Sequence, residues 1–223
     1  MEKNSLKDGR PEVGALNRKG EPSYELDDAD ERTFATDFLT ERALVEFIGQ
    51  KEDRPFFLML SFPYPHGPKS VRKPYDTLFD DVTIPIHDTI RKLDSQIPAW
   101  APSDAKITVA TLRRLMPKYF GMVKCIDDNV GRILHLLEQT GALDQTLIVF
   151  TSDHGDLFGE HGRLNKGNPY EGSARIPFLM RYPSEIPPGT RIGIALSCVD
   201  FLPTINGVLD LQISEVLNGR DAS

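Results

Sequence analysis

The chain has 223 residues, and its 26 Lys and Arg against 33 Asp and Glu give a net charge of −7. That balance excludes a broadly basic nucleic-acid binder, whose phosphate attraction needs a Lys/Arg excess, but leaves room for a local basic pocket around a small anion. No apolar run approaches the ~18 residues of a membrane span, and the polar start Met1-Glu2-Lys3-Asn4-Ser5 shows no signal-peptide core.

Residues 1–32 are polar and Gly/Pro-punctuated, with 1–29 a lead-in, and end in the acidic run 25–31. That run reads as a solvated approach to a helix, with acids favoured near its positive N-terminus. A helix is predicted over about 33–48. Phe34, Phe38, Leu44, Val45, Phe47 and Ile48 give its apolar face, and Gly49 supplies the stop. Phe56 to Ser61 is an apolar run of strand length, of the kind buried on both faces in a helix-covered parallel sheet. Residues 62–107 read as a long loop region, and loops of that length inside a domain are usually functional or disordered.

A second helix is predicted over about 117–139, punctuated by Pro117 and Gly141. Tyr119, Met122, Val123, Ile126, Val130, Ile133, Leu134 and Leu137 recur on one face at helical spacing. Leu147 to Phe150 is a second buried strand, followed by a Gly-, His- and Asp-rich loop over 152–168. Phe178 to Met180 and Ile192 to Val199 are further strand candidates. Asp200 is placed to cap a helix through Leu209, with Pro203 in its first turn. Strands alternating with helices predict an α/β fold with a largely parallel sheet, and ligands bind such sheets beyond the carboxyl ends of the strands. The two cysteines, Cys125 and Cys198, are too few for a disulfide framework and read as buried free thiols.

Two clusters fall at those strand ends. The first is Thr151-Ser152-Asp153-His154-Gly155-Asp156. A hard carboxylate oxygen beside a neutral imidazole nitrogen suits a divalent cation; Asp-His-Gly is equally a tight turn. Thirteen residues on, Lys166 can hold an anionic ester oxygen as a compact point charge, or stand solvated on the surface. His161, between them, contacts substrate or holds the loop, with the loop role favoured. Glu171 and Arg175, four apart, pair structurally on one turn. The second cluster is Pro63-Tyr64-Pro65-His66-Gly67-Pro68. Its histidine, held between prolines, can donate to an anion or serve as a general acid, or can be a packed loop residue. His87, His135, Asp127 and Asp128 read as helix surface or packing.

Taken in order, several segments resemble the type I sulfatases of the alkaline-phosphatase-like superfamily. These are Pro55-Phe56-Phe57-Leu58, Pro65-His66-Gly67-Pro68, Tyr119 through Gly131, Thr151 through Asp156, Lys166, Tyr170 through Pro177, and Asp200-Phe201-Leu202-Pro203-Thr204. The likeness is collinear over about 30–209. It implies a mixed, largely parallel α/β sheet flanked by helices and the hydrolysis of small-molecule or carbohydrate sulfate esters. It further implies that Asp153 and His154 ligate a divalent cation, generally Ca2+, that His66 contacts sulfate and aids proton transfer, and that Lys166 binds sulfate oxygens. The Asp-His form is also similar to phosphonate monoester hydrolases, for which Mn2+ or Zn2+ would be expected.

The family's nucleophile is a formylglycine made within a Cys/Ser-x-Pro-x-Arg signature. Neither Cys125 nor Cys198 begins one, and Ser61-Phe62-Pro63-Tyr64-Pro65 has proline where arginine belongs. The expectation is therefore an incomplete portion of the catalytic domain over 1–223, with 210–223 leading into a C-terminal segment and the formylglycine lying outside the chain. Surfaces left open would then favour self-association. A phosphonate or phosphate diester hydrolase, and a non-catalytic remnant that only binds, are the alternatives.

Overall fold

A computed structural model describes residues 29–48, 54–91, 98, 107–212 and 216–223. The elements in chain order are α1 (Ala35–Arg42), α2 (Val109–Gln139), β1 (Ile148–Thr151), α3 (Glu171–Ala174), β2 (Phe178–Arg181) and α4 (Phe201–Val208). β1 and β2 pair in a two-stranded sheet. Among the described residues no helix is long and apolar enough to cross a membrane.

The chain divides into two compact units, Met1–Leu143 with Phe150–Phe178, and Asp144–Val149 with Leu179–Ser223. In the first, α1 packs on α2 around a core of Phe34, Ala35, Tyr64, Val71, Met122, Cys125 and Ile126. The Phe34 and Tyr64 rings stack with centroids 4.8 Å apart. Beneath that core lies a buried polar knot. Arg72 donates through Nε (2.7 Å) and Nη2 (2.8 Å) to the two carboxylate oxygens of Asp37, and Asn129 Nδ2 donates to Asp37 Oδ1 at 3.0 Å. A bidentate guanidinium–carboxylate pair holds both groups in one geometry. Asp37 thereby keeps the Arg72 guanidinium firmly charged despite its burial.

The approach to α1 is as expected. The Asp30 side chain accepts from the backbone N–H groups of Arg32 (2.9 Å) and Thr33 (3.0 Å), with residues 25–28 of the acidic run outside the described residues. The predicted helix over 33–48 is α1 followed by a wider π-helical turn, Ala43–Ile48. Gly49 falls outside the described residues.

Five expectations change. α2 begins at Val109, eight residues before Pro117, because Thr108 caps it through a side chain that accepts from Thr111 N at 3.1 Å. Pro117 lies inside the helix, where its missing N–H removes one bond to the Arg113 carbonyl. Residues 56–61 run without an assigned strand partner, and Phe57 and Met59 are 82% and 80% exposed, so the segment is not buried on both faces. Residues 192–197 likewise form no strand, and Ile192 and Ile194 are more than half exposed. Cys125 is buried but Cys198 is exposed.

In the second unit, the Asp200 carboxylate does not cap α4. It closes the preceding 3-10 turn instead, accepting from Ser197 N (2.8 Å) and Arg220 N (2.7 Å). Those two backbone donors hold it below the usual carboxylate range. Arg181 of β2 pairs with Asp144 at 2.5 Å.

Candidate functional site

Two loops of the first unit carry the residues singled out in the sequence. The 63–69 loop is anchored by Tyr64, buried against Phe34. His66 is exposed, and its Nδ1 lies 2.9 Å from the carbonyl of Gly67. A carbonyl only accepts, so Nδ1 carries the proton and the neutral ring presents a bare Nε2. Lys166 Nζ donates to that Nε2 at 2.6 Å, across a separation of 100 residues.

The second loop follows β1. Ser152 Oγ donates to the His154 carbonyl at 2.8 Å, and His154 N donates to Asp153 Oδ1 at 2.9 Å. His154 repeats only the Nδ1 arrangement of His66: its Nδ1 lies 2.7 Å from the Gly155 carbonyl, to which it donates. Its Nε2 sits 3.4 Å from Asp153 Oδ2. Burial pushes the Asp153 carboxyl up, but hydrogen bonds from the backbone N–H groups of His154 and of Asp153 itself and from the Ser152 hydroxyl outweigh it and hold the acid below its ordinary range. The His154 and His66 rings meet edge to face with centroids 6.5 Å apart.

Glycine is required where this loop folds under. Gly155 N donates to the Ser173 carbonyl at 2.8 Å, and a Cβ at position 155 would run into the Gly172 carbonyl oxygen. Further on, Leu157 N donates to Asn165 O and Gly159 N to Arg163 O, so the loop closes on itself. Phe158, His161 and Asn165 take positive φ there, a costly conformation for residues with a side chain. His161 stacks on Tyr170 with centroids 3.7 Å apart, and its N–H donates to Thr89 Oγ1 at 3.0 Å. Its position is that of a loop anchor. Glu171 and Arg175 pair at 4.0 Å on exposed surface. Asp127 and Asp128 pair with Lys124, while His135 faces Gln139 on the helix surface.

His66, Lys166, Asp153 and His154 are thus brought together, and His161 is set apart against Tyr170. Asp153 and His154 offer one carboxylate oxygen and, in the neutral ring, one imidazole nitrogen, 3.4 Å apart. That donor set fits part of a divalent-cation site. Among the described residues no third His, Cys, Asp or Glu joins them, so the two supply a minority of the six to eight ligands calcium takes.

Sequence reasoning assigned no role to Lys69 and Asp156. Lys69 Nζ donates to Asp156 Oδ2 at 2.7 Å and to the Pro65 carbonyl at 3.2 Å, with both charged side chains nearly buried. Nothing in the local pattern links positions 69 and 156; the proline-rich run before Lys69 and the acid two residues after His154 were the only signals.

A family model described as Sulfatase matches residues 11–211. The chain is 32% identical over 184 residues to the arylsulfatase of Clostridium perfringens, spanning 78% of this chain and 38% of that protein. It is 37% identical over 107 residues to the N-acetylglucosamine-6-O-sulfatase of Bacteroides thetaiotaomicron, spanning 48% of this chain and 19% of that protein. The solved phosphonate monoester hydrolase of Agrobacterium radiobacter superposes with a TM-score of 0.74 and 28% identity, covering 96% of this chain and 46% of that one. The chain spans less than half the length of each.

Proposed function

The chain belongs to the sulfatase family, and from that premise we propose that it forms the sulfate-binding and proton-transfer part of a sulfuric ester hydrolase. The observation that carries this is the contact of the Lys166 ammonium with the bare Nε2 of His66. A fixed cation beside a ring nitrogen able to take up and release a proton is what cleavage of an anionic ester needs.

The division of labour follows from the donors. Lys166 offers three N–H donors, and a sulfate oxygen entering the site competes with His66 for them. Its charge then balances the negative charge on the non-bridging oxygens as the S–O bond breaks. Gly67 keeps the His66 proton on Nδ1, so Nε2 is the atom that exchanges protons. Protonated there, His66 delivers that proton to the departing alcohol oxygen as the S–O bond opens and the sulfuryl group passes to the oxygen of an attacking water, whose proton restores the ring for the next turnover. Asp153 and His154 would hold the divalent cation, calcium as the family generally uses it, and a bound cation supplies Lewis-acid polarisation of a sulfate oxygen. The family's formylglycine has no precursor signature in these 223 residues.

The substrate class is a sulfated small molecule or carbohydrate, in line with the arylsulfatase and the N-acetylglucosamine-6-O-sulfatase among its relatives. A second reading, hydrolysis of phosphonate monoesters, is favoured by the likeness to the Agrobacterium enzyme and by the Asp153-His154 pair, whose nitrogen donor also suits a transition metal. Turnover of 4-nitrophenyl sulfate and of a phenylphosphonate monoester by the complete gene product, each with calcium and with manganese, decides between them. Faster sulfate cleavage with calcium supports the first reading. Cleavage of neither ester under any of the four conditions would sink both.

A further inference from the structure

We propose that Lys69 and Asp156 are positioning residues that set the distance between His66 and Lys166. Lys69 Nζ donates to the carbonyl of Pro65, the residue immediately before His66. Asp156 Oδ1 accepts from the backbone N–H of Asn165, the residue immediately before Lys166, at 3.0 Å, and from Phe158 N at the same distance. The ion pair between them, at 2.7 Å, closes the path. One continuous line of hydrogen bonds therefore joins the covalent neighbours of the two groups placed at the ester, across loops 87 residues apart at the ion pair.

The surroundings make the pair strong rather than incidental. The side chains of Lys69 and Asp156 are 10% and 14% exposed, so water screens them little, unlike a surface ion pair. The Lys69 ammonium also lies 5.0 Å from the Tyr119 ring centroid and 5.2 Å from that of Phe158. An aromatic box of that size favours a cation. Tyr119 belongs to α2, so the pair is referenced to the rigid helix and not to loop alone. Neither group reaches the reacting atoms; both act through backbone that carries residues which do.

The inference rests on the reading of His66 and Lys166 as the ester-handling pair, and its test separates the two ideas. In the complete protein, the ring 15N resonance of His66, assigned with His66→Gln, reports whether Nε2 accepts from Lys166. Lys69→Met is expected to move that resonance toward its position in Lys166→Ala and to weaken binding of inorganic sulfate about tenfold, the usual cost of losing an outer-shell partner. Asp156→Asn keeps an acceptor for the two N–H groups and removes the charge, and is expected to do the same should Lys69→Met not fold. An unmoved His66 resonance in a folded variant overturns the positioning role, even if the melting temperature falls. Wild-type protein that binds no sulfate counts against the functional reading, while the resonance still decides the positioning claim.

Discussion

Lys166 and His66 stand 100 positions apart in the chain and 2.6 Å apart in space, with the ammonium aimed at the one ring nitrogen that lacks a proton. Two such groups act as a unit, so their losses do not multiply. Lys166→Ala is expected to lower kcat/KM for an aryl sulfate by about 10²–10³-fold, and His66→Ala by about 10²–10⁴-fold. The double variant should lose far less than the product of the two. Steady-state kinetics on the complete gene product measures this, and fully multiplicative losses would show that the groups work independently.

The Asp37 knot predicts a large stability effect far from the site. Asp37→Ala leaves the buried Arg72 guanidinium without its carboxylate, at a cost of about 3–5 kcal/mol. Urea unfolding followed by circular dichroism gives the value. A loss below ~1 kcal/mol would place the pair among ordinary surface ion pairs.

Two glycines should respond with opposite signs. Gly155→Ala pushes a methyl group into the Gly172 carbonyl and should destabilise by about 1–3 kcal/mol. Gly131 lies inside α2 with nothing near its added Cβ, so Gly131→Ala should stabilise by roughly 0.5–1 kcal/mol. Paired melting curves test both at once.

The cysteines predict selective chemistry. Burial, with the Asp37 carboxylate beside it, pushes the Cys125 thiol up to about 12, whereas Cys198 is exposed. Maleimide at pH 7.5 should label Cys198 in the native chain and reach Cys125 only on unfolding, as mass spectrometry of tryptic peptides would reveal. The same shift gives a pH dependence. Above an ordinary thiol value of 9.0 the unfolded chain releases this proton while the folded one keeps it until about 12. Stability from this group is therefore complete below pH 9 and declines as pH rises through that window. Cys125→Ser should flatten the alkaline decline.

How much was legible depended on how local the cause was. The apolar face of α2 and the positions of the two short strands were readable because each pattern lies within a few residues, but β1, expected as a buried strand, is half-buried at Ile148 and Val149 and exposed at Phe150 and Thr151. The start of α2 was not, because a capping Thr108 lies outside the apolar stripe and Pro117 reads as a boundary wherever it falls. Residues 56–61 carry the composition of a buried strand, yet burial needs neighbours, and Phe57 and Met59 have none over most of their surface. Asp200 stood where a cap belongs, but two backbone N–H groups, one of them twenty residues away, compete successfully for its carboxylate. His66, Lys166, Asp153 and His154 could each be singled out from type and position with a plainer reading still open, and it was the family resemblance that implied their roles. Lys69 and Asp156 could not, since only folding brings them together.

Each of the two site histidines gives its Nδ1 proton to the carbonyl of the glycine that follows it. A main-chain acceptor cannot be deleted by any change of side chain. Substitutions elsewhere in either loop can therefore accumulate without scrambling which nitrogen of each ring faces outward, and only an insertion, a deletion or a shift of the backbone itself can. The outward face of these imidazoles is tied to chain path rather than to the identity of their neighbours.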